Sequence, residues 1–144
     1  MNYSRRDFGL FFPALLAAAG VVGTEAPALQ SKTYSFDDLP VRTSGQNKIR
    51  AVLDGKTHEG FPVEMHITEL APGLAPHPPH HHVHEEMIMV REGTLEVTIA
   101  GRGAKLGPGS VAYVASNEEH GWRNVGTARA QYFVLALGRE NAQA

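Results

Sequence analysis

Seven consecutive residues, His80-His81-His82-Val83-His84-Glu85-Glu86, carry most of the chemistry this chain has to offer. Eight histidines are present, and five of them fall between His77 and His84. In an extended chain the side chains alternate between faces. His80, His82, His84 and Glu86 then share one face, and His81 and Glu85 share the other. Two imidazoles at i and i+2 can converge on a single ion, with a carboxylate following. Imidazole and carboxylate together suit divalent first-row metals. His120 stands alone, directly after the polar turn Ser116-Asn117-Glu118-Glu119. A ligand arriving from that distant stretch would close the site. The competing reading is a solvated His-rich loop with adventitious metal affinity. The phase shared by His120, Trp122 and Asn124 argues against His120 being only a satisfied surface histidine.

Such ligands must be held by strands. Val63, Met65 and Ile67 alternate with Glu64, His66 and Thr68, a period of two. Met87 to Val90 is an apolar run closed by Glu92-Gly93. Leu95, Val97 and Ile99 alternate with Glu96 and Thr98, closed by Gly101 and Gly103. Gly107-Pro108-Gly109 precedes a run from Val111 to Val114, and Tyr132 to Leu137 is the last apolar segment. Upstream, Tyr34 and Phe36 alternate as an edge strand would, and Ile49 to Leu53 is a short strand ended by Asp54-Gly55. No stretch after residue 28 has a helical repeat of useful length. Short strands at this spacing predict an all-β antiparallel sandwich or barrel. The chain divides into a signal segment (1–28), an arm with an edge strand (29–46), a β-barrel (47–140) and a tail (141–144).

Composition excludes several alternatives. The chain has 144 residues, 13 Lys plus Arg, 15 Asp plus Glu and a formal charge of −2. That balance lacks the basic surface that nucleic-acid binding needs. There is no cysteine, so disulfides, thiolate metal sites and cysteine nucleophiles are all absent. Fifteen glycines and nine prolines favour turns over long helices.

The first 28 residues read as an address. Arg5 and Arg6 precede an apolar stretch from Leu10 to Gly23. Fourteen helical residues span about 21 Å, short of the roughly 30 Å bilayer core. Ala26-Pro27-Ala28 offers small residues for a signal peptidase, with cleavage expected after Ala28. Ser4-Arg5-Arg6-Asp7-Phe8-Gly9-Leu10 closely resembles the bacterial twin-arginine export signal. That resemblance implies transient contact with the twin-arginine machinery and a periplasmic or secreted product, folded before transport. An uncleaved membrane anchor and a buried N-terminal helix are the alternatives.

The central region resembles the cupin superfamily. The first motif of that family, G-x5-H-x-H-x3/4-E-x6-G, is met by His80, His82, Glu86 and Gly93, with Gly73 one position too far upstream. The second, G-x5-P-x-G-x2-H-x3-N, is met by Gly109, His120 and Asn124, with Ala115 in place of Pro and Asn117 in place of Gly. Asn visits positive φ more readily than other residues with a side chain, so the second change is mild. The resemblance implies a small jelly-roll barrel in which His80, His82, Glu86 and His120 ligate one divalent transition metal ion. It also implies homodimerisation through sheet packing.

Three imidazoles and a carboxylate would leave up to two octahedral positions open. Open positions let a metal polarise a substrate oxygen, activate water or bind dioxygen. The ligand types admit Mn, Fe, Co, Ni, Cu and Zn. Folding around the ion before export would favour Mn²⁺ or Fe²⁺ over the intrinsically tighter Cu and Zn. Among the neighbours, His84 is expected behind the ligands or lining the cavity, and His77 and His81 in solvent. Tyr113 and Trp122 are expected as core or cavity wall, and Met87 and Met89 as packing. Glu64 and His66 face either the barrel interior or solvent. Arg50, Arg91 and Arg123 are solvated charges or contacts for an anionic substrate. The function expected is a metal-dependent oxygenase, decarboxylase or isomerase acting on a small oxygen-rich molecule. The alternative is a barrel that holds metal or a small ligand without turnover.

Overall fold

A computed structural model of the chain describes residues 28–138. The twin-arginine-like segment and the tail at 141–144 lie outside the described residues. Nine strands follow a 3₁₀ turn at Phe36–Asp38: β1 (Val41–Ser44), β2 (Asn47–Lys56), β3 (Pro62–Leu70), β4 (Glu85–Glu92), β5 (Leu95–Ile99), β6 (Arg102–Leu106), β7 (Val111–Val114), β8 (His120–Asn124) and β9 (Ala130–Leu137). They form a six-stranded sheet, β1-β2-β3-β9-β4-β7, and a three-stranded sheet, β6-β5-β8. Every strand pairing within them is antiparallel. This is the jelly-roll architecture of the all-β class. No described helix is long and apolar enough to cross a membrane.

The period-two segments became strands because one face of each is covered. Leu70, Ile88, Val90, Ala130, Tyr132 and Val134 from the large sheet pack on Leu95, Val97 and Trp122 from the small one. Burying such side chains contributes roughly 1.5–3 kcal/mol each. Within this core Trp122 Nε1–H donates to the Tyr132 hydroxyl at 2.7 Å. Tyr132 is fully enclosed, and burial pushes its hydroxyl well above the usual phenol range.

Several local expectations are corrected. Tyr34 and Phe36 are not a strand; Phe36 opens the 3₁₀ turn, and the edge strand is β1. There the Phe36 ring lies under two guanidinium groups, Arg50 at 4.4 Å and Arg91 at 5.1 Å, so stacking replaces strand pairing. Asp54-Gly55 does not end β2. The strand runs through it because β3 continues to pair as far as Lys56↔Pro62. Gly55 instead admits the arm, since a Cβ there would stand 2.9 Å from the Leu29 side chain. Strands β6 and β8 carry weak alternation and are stabilised by their neighbour β5.

At Gly93 a side chain cannot be accommodated. Its φ is +79° and an added Cβ would sit 2.7 Å from Ala130 Cα, so the β4–β5 turn presses directly on β9.

Candidate metal centre

The His-rich segment is tied to β8 by backbone hydrogen bonds at two points. Gly73 N–H donates to Asn124 O, and Asn124 N–H to Leu74 O, both at 2.9 Å. Further along, His80 and His120 exchange backbone hydrogen bonds of 3.0 and 2.8 Å. His80 and His120 form an isolated antiparallel bridge, with bends in the chain between the two points. Pro76, Pro78 and Pro79 have no N–H, which suits a segment paired on one side only. Pro79 packs on Gly121, where a Cβ would come within 3.2 Å. Asn117, which stands where the family pattern has glycine, has φ +63°. Its N–H donates to His82 O at 2.8 Å, so this turn fixes the second ligand as well as the approach to His120.

Two supports thus bring three imidazoles together, and a third places Glu86 against two of them. His80 and His82 come from the bridged loop, Glu86 from the start of β4, and His120 from the first position of β8. The ligand nitrogens of His80, His82 and His120 all lie within 4.8 Å of one another. Glu86 Oε2 is 3.2 Å from His82 Nε2 and 3.1 Å from His120 Nε2. The other nitrogen of each of these two rings is occupied. His82 Nδ1–H donates to His84 O at 2.8 Å, and His120 Nδ1–H donates to Glu118 O at 2.9 Å. Backbone carbonyls accept only, so they fix the proton on Nδ1 and leave Nε2 to face the centre.

The electrostatics follow. In neutral rings the two Nε2 lone pairs point at an anionic oxygen, an arrangement that calls for a cation between them. Without a metal a proton fills that role. Burial alone would pull His82 down, but Glu86 and the His84 carbonyl outweigh it and hold His82 above the ordinary histidine value. Glu86 is lowered well below the carboxylate range even though burial opposes this, because both imidazoles hydrogen-bond to it. His80 moves the other way, to about 3, through burial first and then the neighbouring His77, His120 and His82. It is a neutral ligand at any ordinary pH. The three imidazole nitrogens are close enough to hold one divalent transition ion, and the Glu86 carboxylate lies beside two of them.

Around this set the histidines are layered. His84 is 6% exposed and stacks on His82, as expected of a residue behind the ligands. Burial lowers its pKa to about 4. His81 is exposed, as expected. His77 is not in solvent as the sequence implied. Its ring stands edge-on to His80 at 4.1 Å and 6.1 Å from Trp122. The proline pair that follows turns it inward, a contact no periodicity signals.

Other expectations resolve by strand register. Glu64 and His66 are on the interior face, opposite Ala136 and the buried Val134. Tyr113 is not a cavity wall; it is 51% exposed on the outer face of β7, because Glu86↔Val114 puts Val114 inside and Tyr113 outside. Met87 and Met89 are half-buried on that same outer face. Trp122 is core. Arg50 pairs with Glu69 at 2.6 Å, Arg91 with Gln131 at 2.6 Å, and Arg123 with Glu96 at 2.8 Å. Asn124, the last residue of the second motif, is fully buried and makes no ligand. Its Nδ2 donates to Leu70 O at 3.0 Å and Ala128 O at 2.8 Å, and its Oδ1 accepts from Gly126 N–H at 2.9 Å.

Comparison with known proteins agrees with this fold. The family model described as Cupin domain matches residues 66–136. An RmlC-like cupin from Shewanella frigidimarina is similar in structure, with TM-score 0.62 and 20% identity over 76% of this chain and 94% of that one. The polyketide cyclase RemF from Streptomyces resistomycificus gives TM-score 0.65 and 21% identity, covering 77% and 82%. A protein from Thermotoga maritima described as a predicted oxalate decarboxylase gives 0.64 and 14%, covering 75% and 100%. No curated protein sequence matches the chain. The family match and the shared fold support the cupin superfamily.

Proposed function

With a cupin fold as the premise, we propose that this chain is a metal-dependent enzyme acting on a small oxygen-rich metabolite. One divalent transition ion is held by His80, His82, Glu86 and His120. The observation that carries this reading is the aim of His82 and His120: both Nδ1 hydrogens are committed to carbonyls, and both Nε2 atoms face one Glu86 oxygen. When bound, the ion supplies Lewis-acid polarisation of a substrate oxygen. The protein orients the ligands, keeps His80 neutral and encloses the carboxylate so that its charge is not spent on water.

Mn²⁺ or Fe²⁺ is the ion we favour, acquired during folding in the cytoplasm before export of the folded barrel. The twin-arginine-like run at residues 4–10 supports that route. Homodimerisation through sheet packing belongs to the same reading. The half-exposed Val111 and Tyr113 on edge strand β7 support it.

Elemental analysis of full-length protein recovered from the periplasm tests the proposal. We expect about one Mn or Fe per chain and none in His82→Ala. That variant should also lose the thermal stabilisation of a ligand bound only by the native state, about 2.7 kcal/mol at a hundredfold excess over Kd. Metal-free wild-type protein that takes up no divalent ion would overturn the reading. Stoichiometric Zn or Cu would overturn the choice of ion only.

A further inference from the structure

A second pair of titratable groups stands on the same interior face and has no part in the ligand set. Two cross-strand rows define its place. In the first, Glu64, Ala136 and Glu86 are successive partners across β3, β9 and β4. In the second, His66, Val134 and Ile88 are partners in the same order. Residues directly opposite share a face. Ile88 is 0% and Val134 1% exposed, both in the core, so this face is the interior. Glu64 and Glu86 are then two strand spacings apart, about 10 Å, with only the methyl group of Ala136 between them.

The pair is organised. His66 Nδ1 lies 2.9 and 3.1 Å from the two Glu64 oxygens. An ionised carboxylate accepts only, so Nδ1 carries the hydrogen and Nε2 keeps its lone pair. His66 Nε2 has no hydrogen-bond partner among the described residues. The side chains remain 15% and 22% exposed, unlike the sealed Ile88 and Val134 beside them. A carboxylate-braced imidazole that water reaches, beside the sealed Ile88 and Val134, is arranged to take and return a proton.

We propose that His66, oriented by Glu64, is an acid–base residue on the barrel's interior face and that the substrate is a small carbonyl compound bearing an acidic C–H. This rests on the metalloenzyme reading above. The carbonyl oxygen faces the His/Glu cluster and the adjacent carbon faces His66. The C–H proton passes to Nε2, and the C–H electron pair becomes the C=C bond of an enolate whose negative charge resides on oxygen. The imidazolium so formed is stabilised by Glu64. Return of the proton to the same carbon gives exchange; where that carbon carries a hydroxyl, the proton adds instead to the former carbonyl carbon while the hydroxyl gives its proton to the old carbonyl oxygen and becomes the new carbonyl, which gives an isomer. No oxidant or reductant is consumed, so the pair selects isomerisation-type chemistry over oxygenation.

The test uses the full-length metal-loaded protein and pyruvate in D₂O, with loss of the methyl proton signal as the readout. Wild type should accelerate exchange over buffer carrying the same metal. His66→Gln should retain metal and thermal stability while exchange falls on the order of 10²-fold or more. Glu64→Gln should also slow exchange, and nitrogen NMR of the zinc-loaded protein should show His66 losing its single Nδ1–H tautomer. In wild type the His66 Nε2 resonance should move when pyruvate is added. Should His66→Gln fail to fold, Glu64→Gln and the NMR measurements decide. Exchange unchanged in the variants, or no exchange by wild type that holds its metal, overturns the proposal. Wild type that holds no metal overturns the metalloenzyme reading first, and this proposal with it.

Discussion

The ring of His82 lies flat against the ring of His84, 3.5 Å between centroids and 11° between planes, while its Nδ1–H donates to the His84 carbonyl. One residue thus fixes a ligand twice, through its side chain and through its backbone. His84→Ala keeps the carbonyl and removes the stack. Metal affinity should fall roughly tenfold, in line with the loss of outer-sphere support at other metal sites. Calorimetric titration with Mn²⁺ would measure it. An unchanged Kd would show that the carbonyl alone orients His82.

Glu86 should control the protonation of its neighbours. In the metal-free protein it holds the His82 pKa up against burial. Glu86→Gln keeps the shape and removes the charge, so the His82 midpoint in a histidine NMR titration should move down. For wild type, His82 stability derived from protonation is full below its unfolded value of about 6.5 and is lost as pH rises through the raised folded value. Metal replaces that proton. The rise in Tm on adding Mn²⁺ should therefore grow as pH increases through the His82 midpoint and vanish in acid.

A second pH effect lies on the outer face. Burial raises the pKa of Glu69, but the Arg50 guanidinium at 2.6 Å, with Lys48 and Gln131, overcomes it and holds the carboxyl below its ordinary value. The unfolded carboxyl titrates near 4.3, so this contribution is complete above that pH and is lost as pH falls through the lower folded value. Glu69→Gln should flatten the acid limb of a stability–pH curve and leave metal content unchanged. An acid limb identical to wild type would place the sensitive carboxylate elsewhere.

Asn124 separates structure from chemistry within one motif. It is fully buried and its amide serves Leu70, Ala128 and Gly126. Asn124→Ala would strand these groups without partners, at a cost of about 2–3 kcal/mol. Denaturant unfolding should show the loss, while the metal stoichiometry of the folded fraction stays at the wild-type value.

The sequence by itself determined the strand class and the identity of the convergent groups. Alternation in Val63–Ile67 and Leu95–Ile99 reads out because one sheet face is buried and side-chain period is a local property. The spacing of His80, His82 and Glu86 reads out for the same reason. Tertiary structure alone decided what depends on pairing between distant strands. Asp54-Gly55 looked like a turn until β3 paired past it, and His77 looked solvated until Pro78 and Pro79 set it against His80. Tyr113 turned outward against expectation and His66, left open by the sequence, turned inward because register, not composition, chooses the face: a one-residue shift of β4 against β7 or of β3 against β9 would reverse both. The carbonyls that aim His82 and His120 belong to His84 and Glu118, and any residue has a carbonyl. Only the path of the backbone could place those two where they are needed.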